Sequence, residues 1–290
     1  MISSSAPLQK EILQDQQNEI DAYYIYSRLA KKTSNAHNAK ILSSIASDEK
    51  NHYNLLKKYS RKDLKPNRLK IVLYVILARL LGFTFALKLL ENAEQKAQDT
   101  YKKIGSSYPE LKKITRDEEQ HERDLIDMMN EDRLDYMGSV VLGLNDALVE
   151  LTGALAGFTF ALQNARIIGI LGLITGISAS LSMGASEYLS ASHEHHKNAG
   201  KAAGYTATAY VVTVFLLILP FMLDLNAFIS LGATLGIAIV IIAVFNYYIA
   251  VAKDFSFKKR FLEMAGISLG VAAISFLIGV LVKSTLGVGL

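Results

Sequence analysis

Five apolar stretches, near residues 138–162, 167–189, 205–223, 227–252 and 263–283, fill the second half of the chain. Each meets the roughly 20-residue length that a helix needs to cross a bilayer. Lipid offers no hydrogen bonds to a bare backbone, so continuous runs of this length are expected to be helices that satisfy themselves internally. The charge distribution marks where they begin. Residues 1–137 hold 23 of the 31 Lys and Arg and 20 of the 27 Asp and Glu, whereas residues 138–290 hold 8 and 7. The chain is therefore expected to be all-α, with a water-soluble domain over 1–137 and a five-span membrane domain over 138–290.

Loop charges suggest an orientation. Arg133, Lys197, Lys201, Lys253, Lys258, Lys259 and Arg260 fall on one side of the spans, and Arg166 and Lys283 on the other. The positive-inside rule then places the N-terminal domain in the cytoplasm and the C-terminus outside. Residues 1–10 have no apolar core of the kind a cleaved signal peptide carries. The net charge of +4 is spread without a basic, aromatic-interleaved patch, so no nucleic-acid partner is expected. The absence of cysteine excludes disulfides, thiolate zinc sites, iron–sulfur clusters and a rubredoxin-type iron centre.

Acidic residues sit where hydrocarbon should exclude them. Asp146 and Glu150 lie four residues apart in the first span, and Met183 and Glu187 four apart in the second, so each pair shares a helical face. A carboxylate in lipid costs several kcal/mol and usually faces a cavity, a partner or an ion path. A thioether beside carboxylates gives weak, mixed ligands suited to passing a divalent cation onward. The alternative is that these acids only pair with polar neighbours and fix the bundle. Small residues recur at four-residue spacing at Gly153/Gly157, along Gly172, Gly176, Ser180 and Gly184, and at Gly232/Gly236 and Gly266/Gly270, a pattern expected to let helices pack closely.

In the soluble half, helical periodicity is expected over about 6–32 and 35–59, from within 69–90 to about 104, and from about 107 to 135. The run 69–90 is long enough to span. Spanning would separate the first two helices from the last two, so it is read as a connector plus the start of the third helix. It would pack in the core, at a dimer contact or on the membrane surface. The second helix carries Glu49-x-x-His52 and the fourth Glu118-x-x-His121, each pair on one face. The first helix offers Glu19, and the third offers Glu94 with Glu91 one turn earlier. One Glu from each of two helices and Glu-x-x-His from each of the other two form the donor set for a pair of bridged metals in a four-helix bundle. The competing reading is a charged helix surface.

These motifs resemble known families. Asn18-Glu19-Ile20-Asp21-Ala22, Asp48-Glu49-Lys50-Asn51-His52, Glu91-Asn92-Ala93-Glu94 and Asp117-Glu118-Glu119-Gln120-His121 resemble the ferritin-like, rubrerythrin-type diiron domain. The resemblance implies Glu19, Glu49, His52, Glu94, Glu118 and His121 as iron ligands, with Glu91 as an additional carboxylate. Gly143-Leu144-Asn145-Asp146-Ala147-Leu148 and Ser182-Met183-Gly184-Ala185-Ser186-Glu187 resemble the vacuolar iron transporter family, which moves ferrous or manganous ions against protons as a homodimer. It implies that Asp146 and Met183 line the metal route, with Glu187 at its cytoplasmic mouth. Plant and parasite members carry a metal-collecting insert between the second and third spans. Here only a short loop is expected, over 191–205, with His193, Glu194, His195 and His196.

The combination resembles the membrane-bound ferritin group of prokaryotes. It implies a protein of the cytoplasmic membrane that exports Fe(II), with Mn(II) as a second cargo, in exchange for protons. The bundle would capture, oxidise or sense the metal, so a ferroxidase activity would be secondary to transport. The rival reading is a membrane-anchored diiron oxidase or peroxidase whose spans serve only as an anchor.

Overall fold

The computed structural model describes residues 6–92, 111–128, 136–194, 198–223, 225–253 and 255–286. Every regular element among them is a helix. The chain divides into two compact units, Met1–Glu131 and Asp132–Leu290.

In the first unit, α1 (Ala6–Ala30) and α2 (Ala36–Ser60) pack along one another. Asn35 caps α2 by accepting hydrogen bonds from the His37 and Asn38 amides, which leaves His37 exposed at a helix start. The α2 helix stops where Arg61 turns left-handed (φ 55°). The stretch that follows is tied back to the helices. Tyr53 Oη donates to Asp63 (2.6 Å), Lys57 pairs with Asp63 (2.7 Å), and the Asn67 amide donates to Asp21 (2.7 Å).

The 69–90 stretch is not one helix. Asn67 caps α3 (Arg68–Leu81), Gly82 breaks it at φ 100°, and α4 covers residues 83–92. Fourteen residues rise about 21 Å, short of the roughly 30 Å hydrocarbon layer. Ile71, Tyr74 and Ala78 of α3 join Ile25, Tyr26, Leu29, Leu42, Ile45, Leu87, Leu90 and Leu125 in the core. The last of these belongs to α5 (Leu111–Met128), which packs on α2. The expected ends of the third helix (about 104) and of the fourth (107 and 135) lie outside the described residues.

The second unit holds α6 (Met137–Leu162), α7 (Ala165–His193), α8 (Ala199–Met222), α9 (Ala227–Lys253) and α10 (Phe257–Leu286). All five are long and apolar enough to cross a membrane, and the protein is a multi-pass membrane protein. The other four helices all pack on α6. The α7 helix runs to His193 and α8 starts at Ala199, so the connection is shorter than the expected 191–205 loop. His193 sits exposed in the last turn of α7, while His195 and His196 lie outside the described residues.

The small-residue rows divide into two kinds. Gly153 and Gly157 face Val271 and Ser275 of α10, and Gly172, Gly176 and Gly184 face Ile218, Val214 and Ala207 of α8. At Gly232, Gly236, Gly266 and Gly270 an added methyl group would meet no other helix within 4 Å among the described residues. For those four the expectation of close packing within the chain is not met. At Gly143 a methyl group would overlap the Thr206 backbone carbonyl. Gly143→Ala should force α6 and α8 apart and cost about 1–3 kcal/mol, read as a lower unfolding midpoint in detergent. Gly266→Ala has open space and should leave that midpoint unchanged or slightly higher.

Candidate metal centre

The three-residue spacing within Glu49-x-x-His52 and Glu118-x-x-His121 turns both side chains of each pair inward from α2 and α5. Glu19 reaches the same place from α1. His52 Nδ1 lies 3.3 Å from Glu118 Oε1, 3.5 Å from Glu19 Oε2 and 4.0 Å from Glu49 Oε2. His121 Nδ1 lies 3.4 Å from Glu49 Oε1 and 3.7 Å from Glu118 Oε2. Glu49 and Glu118 thus each approach both imidazoles, whose centroids are 6.0 Å apart. All five side chains are buried.

Buried polar atoms normally find hydrogen bonds, yet Glu19 Oε2, Glu49 Oε1, His52 Nδ1 and His121 Nδ1 form none. Their separations explain this. Ligands about 2.1 Å from a shared ion stand roughly 3–4 Å from each other. Glu19, Glu49, His52 and Glu118 each present a donor atom, all within 4.8 Å of one another. Carboxylate and imidazole donors arranged this way fit a divalent first-row cation.

The electrostatics describe the same site without a cation. Burial opposes charge on His52, but the Glu118 and Glu19 carboxylates facing its Nδ1 outweigh it and push the imidazole up to about 12. Burial likewise opposes charge on His121, and Glu118 and Glu49 push it up to about 11. Burial would raise Glu118, but the two imidazoles hold it down at about 2. Glu49 is pushed well above its ordinary range by burial, then by the Glu118 and Glu19 charges. Protons on the imidazoles therefore do for the carboxylates what a metal would do.

Two residues that the sequence reading passed over complete the arrangement. His52 Nε2 lies 3.1 Å from Asp117 Oδ2, and His121 Nε2 lies 3.4 Å from Asp48 Oδ2. Each Asp precedes one Glu-x-x-His motif and serves the histidine of the other. Such a partner fixes the ring and keeps Nδ1 free to face inward. The signal was present as a repeated Asp-Glu-x-x-His. Asp117→Ala should weaken metal binding by roughly 10–100-fold, measured by anaerobic Co(II) titration. Asp48→Ala should do the same, because it holds a different ring.

Other expected ligands are placed differently. Glu91 is buried, its carboxylate 3.1 Å from Lys88 Nζ, and is not among the four converging donors. Glu94 lies outside the described residues. Tyr26 is in the core, while Tyr23 and Tyr24 form an edge-on pair at the partly exposed face of α1.

In the second unit, Ser139 Oγ donates to Glu187 Oε1 (2.6 Å), and Tyr210 Oη donates to Glu150 Oε2 (2.8 Å). Ser139 and Tyr210 were not picked out from sequence, although a tyrosine inside an apolar span is a legible polar anchor. Met183 is half-buried against the core of the unit. Asp146 is half-buried and has no hydrogen bond or ion pair among the described residues.

Taken by its parts, the protein joins a helical unit carrying a buried carboxylate–imidazole cluster to a five-helix membrane unit. Residues 1–60 match the Rubrerythrin family model and residues 137–199 the VIT family model, matches that support a ferritin-like domain fused to a VIT membrane domain. Glu19, Glu49 and His52 fall within the first match, and Asp146, Glu150, Met183 and Glu187 within the second. Glu118 and His121 lie outside both, and geometry alone places them. Searches of curated proteins and of solved structures returned no match.

Proposed function

We propose that the chain exports Fe(II), with Mn(II) as a second cargo, across the cytoplasmic membrane of a prokaryote in exchange for protons. Domain 1–137 faces the cytoplasm, the membrane domain is 138–290, the C-terminus lies outside, and the unit of transport is a homodimer. The observation that carries this reading is Asp146: a carboxylate in an apolar helix, within the VIT match and without a hydrogen bond or ion pair among the described residues. Such a group suits a cation in transit better than a structural tie. Met183 and Glu150 would offer the next donors. Glu187, steadied by Ser139, would stand at the cytoplasmic mouth.

In the bundle, Glu19, Glu49, His52, Glu118 and His121 would hold a diiron centre, with Glu91 and Glu94 as further carboxylates. Bound there, iron supplies redox chemistry, including ferroxidation. The residues themselves hold the site dry and trade protons for metal. The test is metal flux in proteoliposomes, with entrapped fluorophores reading Fe(II), Mn(II) and pH. Metal movement with opposite proton movement is expected; metal flux without any pH change would remove the exchange.

A further inference from the structure

The α3 helix is apolar on two opposite sides. At 100° per residue, Ile71, Tyr74 and Ala78 cluster on the face sealed into the bundle. Leu69, Val72, Leu73, Ile76 and Leu80 form a second stripe on the opposite face, and this one is open, with Leu69 at 84%, Leu73 at 53% and Leu80 at 68% exposure. Isolated exposed leucines mean little, but a continuous stripe of five large apolar side chains marks a surface that something covers.

We propose that this face of α3 lies in the interfacial layer of an anionic lipid bilayer, parallel to the surface. Three observations select lipid as the occupant. The helix has no acidic residue, and Arg68 and Arg79, both exposed and without an ion pair among the described residues, border one edge of the stripe. A basic-edged apolar face of this kind suits headgroups and acyl chains together. Next, the chain is already a multi-pass membrane protein, and eight residues separate Met128 from Met137. Lipid is therefore present wherever this helix is, because the spans belong to the same chain. Finally, an antiparallel two-fold contact between copies of α3 would bring both sets of arginines together with no acid on the helix to offset them.

The absence of natural cysteine makes the test direct. The full chain carrying Leu73→Cys, Ile76→Cys or, as a bundle control, Asn54→Cys is labelled with an environment-sensitive fluorophore. It is then placed in nanodiscs with and without phosphatidylglycerol, using lipids brominated on their acyl chains. Anaerobic Co(II) binding checks that each variant is folded. Labels at Leu73 and Ile76 should shift to the blue and be quenched by bromolipid several-fold more than the label at Asn54. Adding phosphatidylglycerol should increase the quenching, and Arg68→Gln with Arg79→Gln should remove that increase. A water-like label at Leu73 in both lipids overturns the proposal. So does a label shielded from both water and bromolipid, since protein would then be the cover.

Discussion

Exchanging Glu49 for glutamine will make the metal-free bundle more stable and cost it most of its metal. Glu49 is 1% exposed, and burial together with the Glu118 and Glu19 charges holds its carboxyl well above the usual range. A group whose folded pKa is raised binds its proton more tightly when folded. Its stabilising contribution is complete below the ordinary value of 4.5 and is lost as pH rises through the raised one. Above that ordinary value the metal-free fold must either carry this charge against burial or take up a proton to avoid it, and glutamine relieves that cost. Even about 1 kcal/mol would raise Tm by roughly 3–5 °C in a unit of this size.

His52 and His121 have the same sign, so the metal-free protein should lose stability from pH 6.5 upward, toward about 12 and 11. Metal binding should strengthen with pH over the same interval, because the cation takes the place of those protons. A neutral glutamine amide would be a weaker ligand to a divalent cation than the Glu49 carboxylate. Losing one charged ligand should weaken metal binding by roughly 10²–10³, or about 3–4 kcal/mol. Calorimetry of the full chain in nanodiscs, with and without Co(II), reads both effects. Unchanged affinity in Glu49→Gln would mean that the cluster is only an ion-pair network.

The legible parts of this fold were those with a period. Apolar runs announced α6 to α10, and the doubled Glu-x-x-His announced which faces of α2 and α5 turn inward. What escaped depended on a single residue or on a partner far along the chain. The run 69–90 was legible as a connector plus the start of the third helix, but not the point of division at Gly82, because hydropathy does not register a backbone at φ 100°. The glycine pairs at 232/236 and 266/270 share the spacing of those at 153/157, but only neighbours in space reveal which row meets a helix. Asp48 and Asp117 looked like surface charge within acidic runs. Their role appears only when each is seen beside the histidine 73 or 65 residues away.

The same distinction between charge and packing governs the second large effect, at Asp146. Asn at this position keeps the size and polarity of the side chain and removes only the negative charge. If the carboxylate merely tied helices together, Asp146→Asn would behave as a modest destabilisation, yet among the described residues the side chain has no hydrogen bond or ion pair to lose. If instead it attracts and partly dehydrates a cation inside the membrane unit, the loss falls on transport. A contribution of several kcal/mol from one charge in a low-dielectric setting corresponds to a drop in Fe(II) flux of roughly 100-fold or more. Unfolding in detergent should stay within about 0.5 kcal/mol of the native chain.

Glu187→Gln and Glu150→Gln give the graded comparison. Ser139 and Tyr210 donate to these two carboxylates, and the same donors can hydrogen-bond an amide oxygen. Packing should therefore survive in both while flux falls less than at Asp146. Full metal flux through Asp146→Asn would leave the five helices as an anchor for the bundle and transfer the chemistry of the protein to the cluster around Glu49 and Glu118.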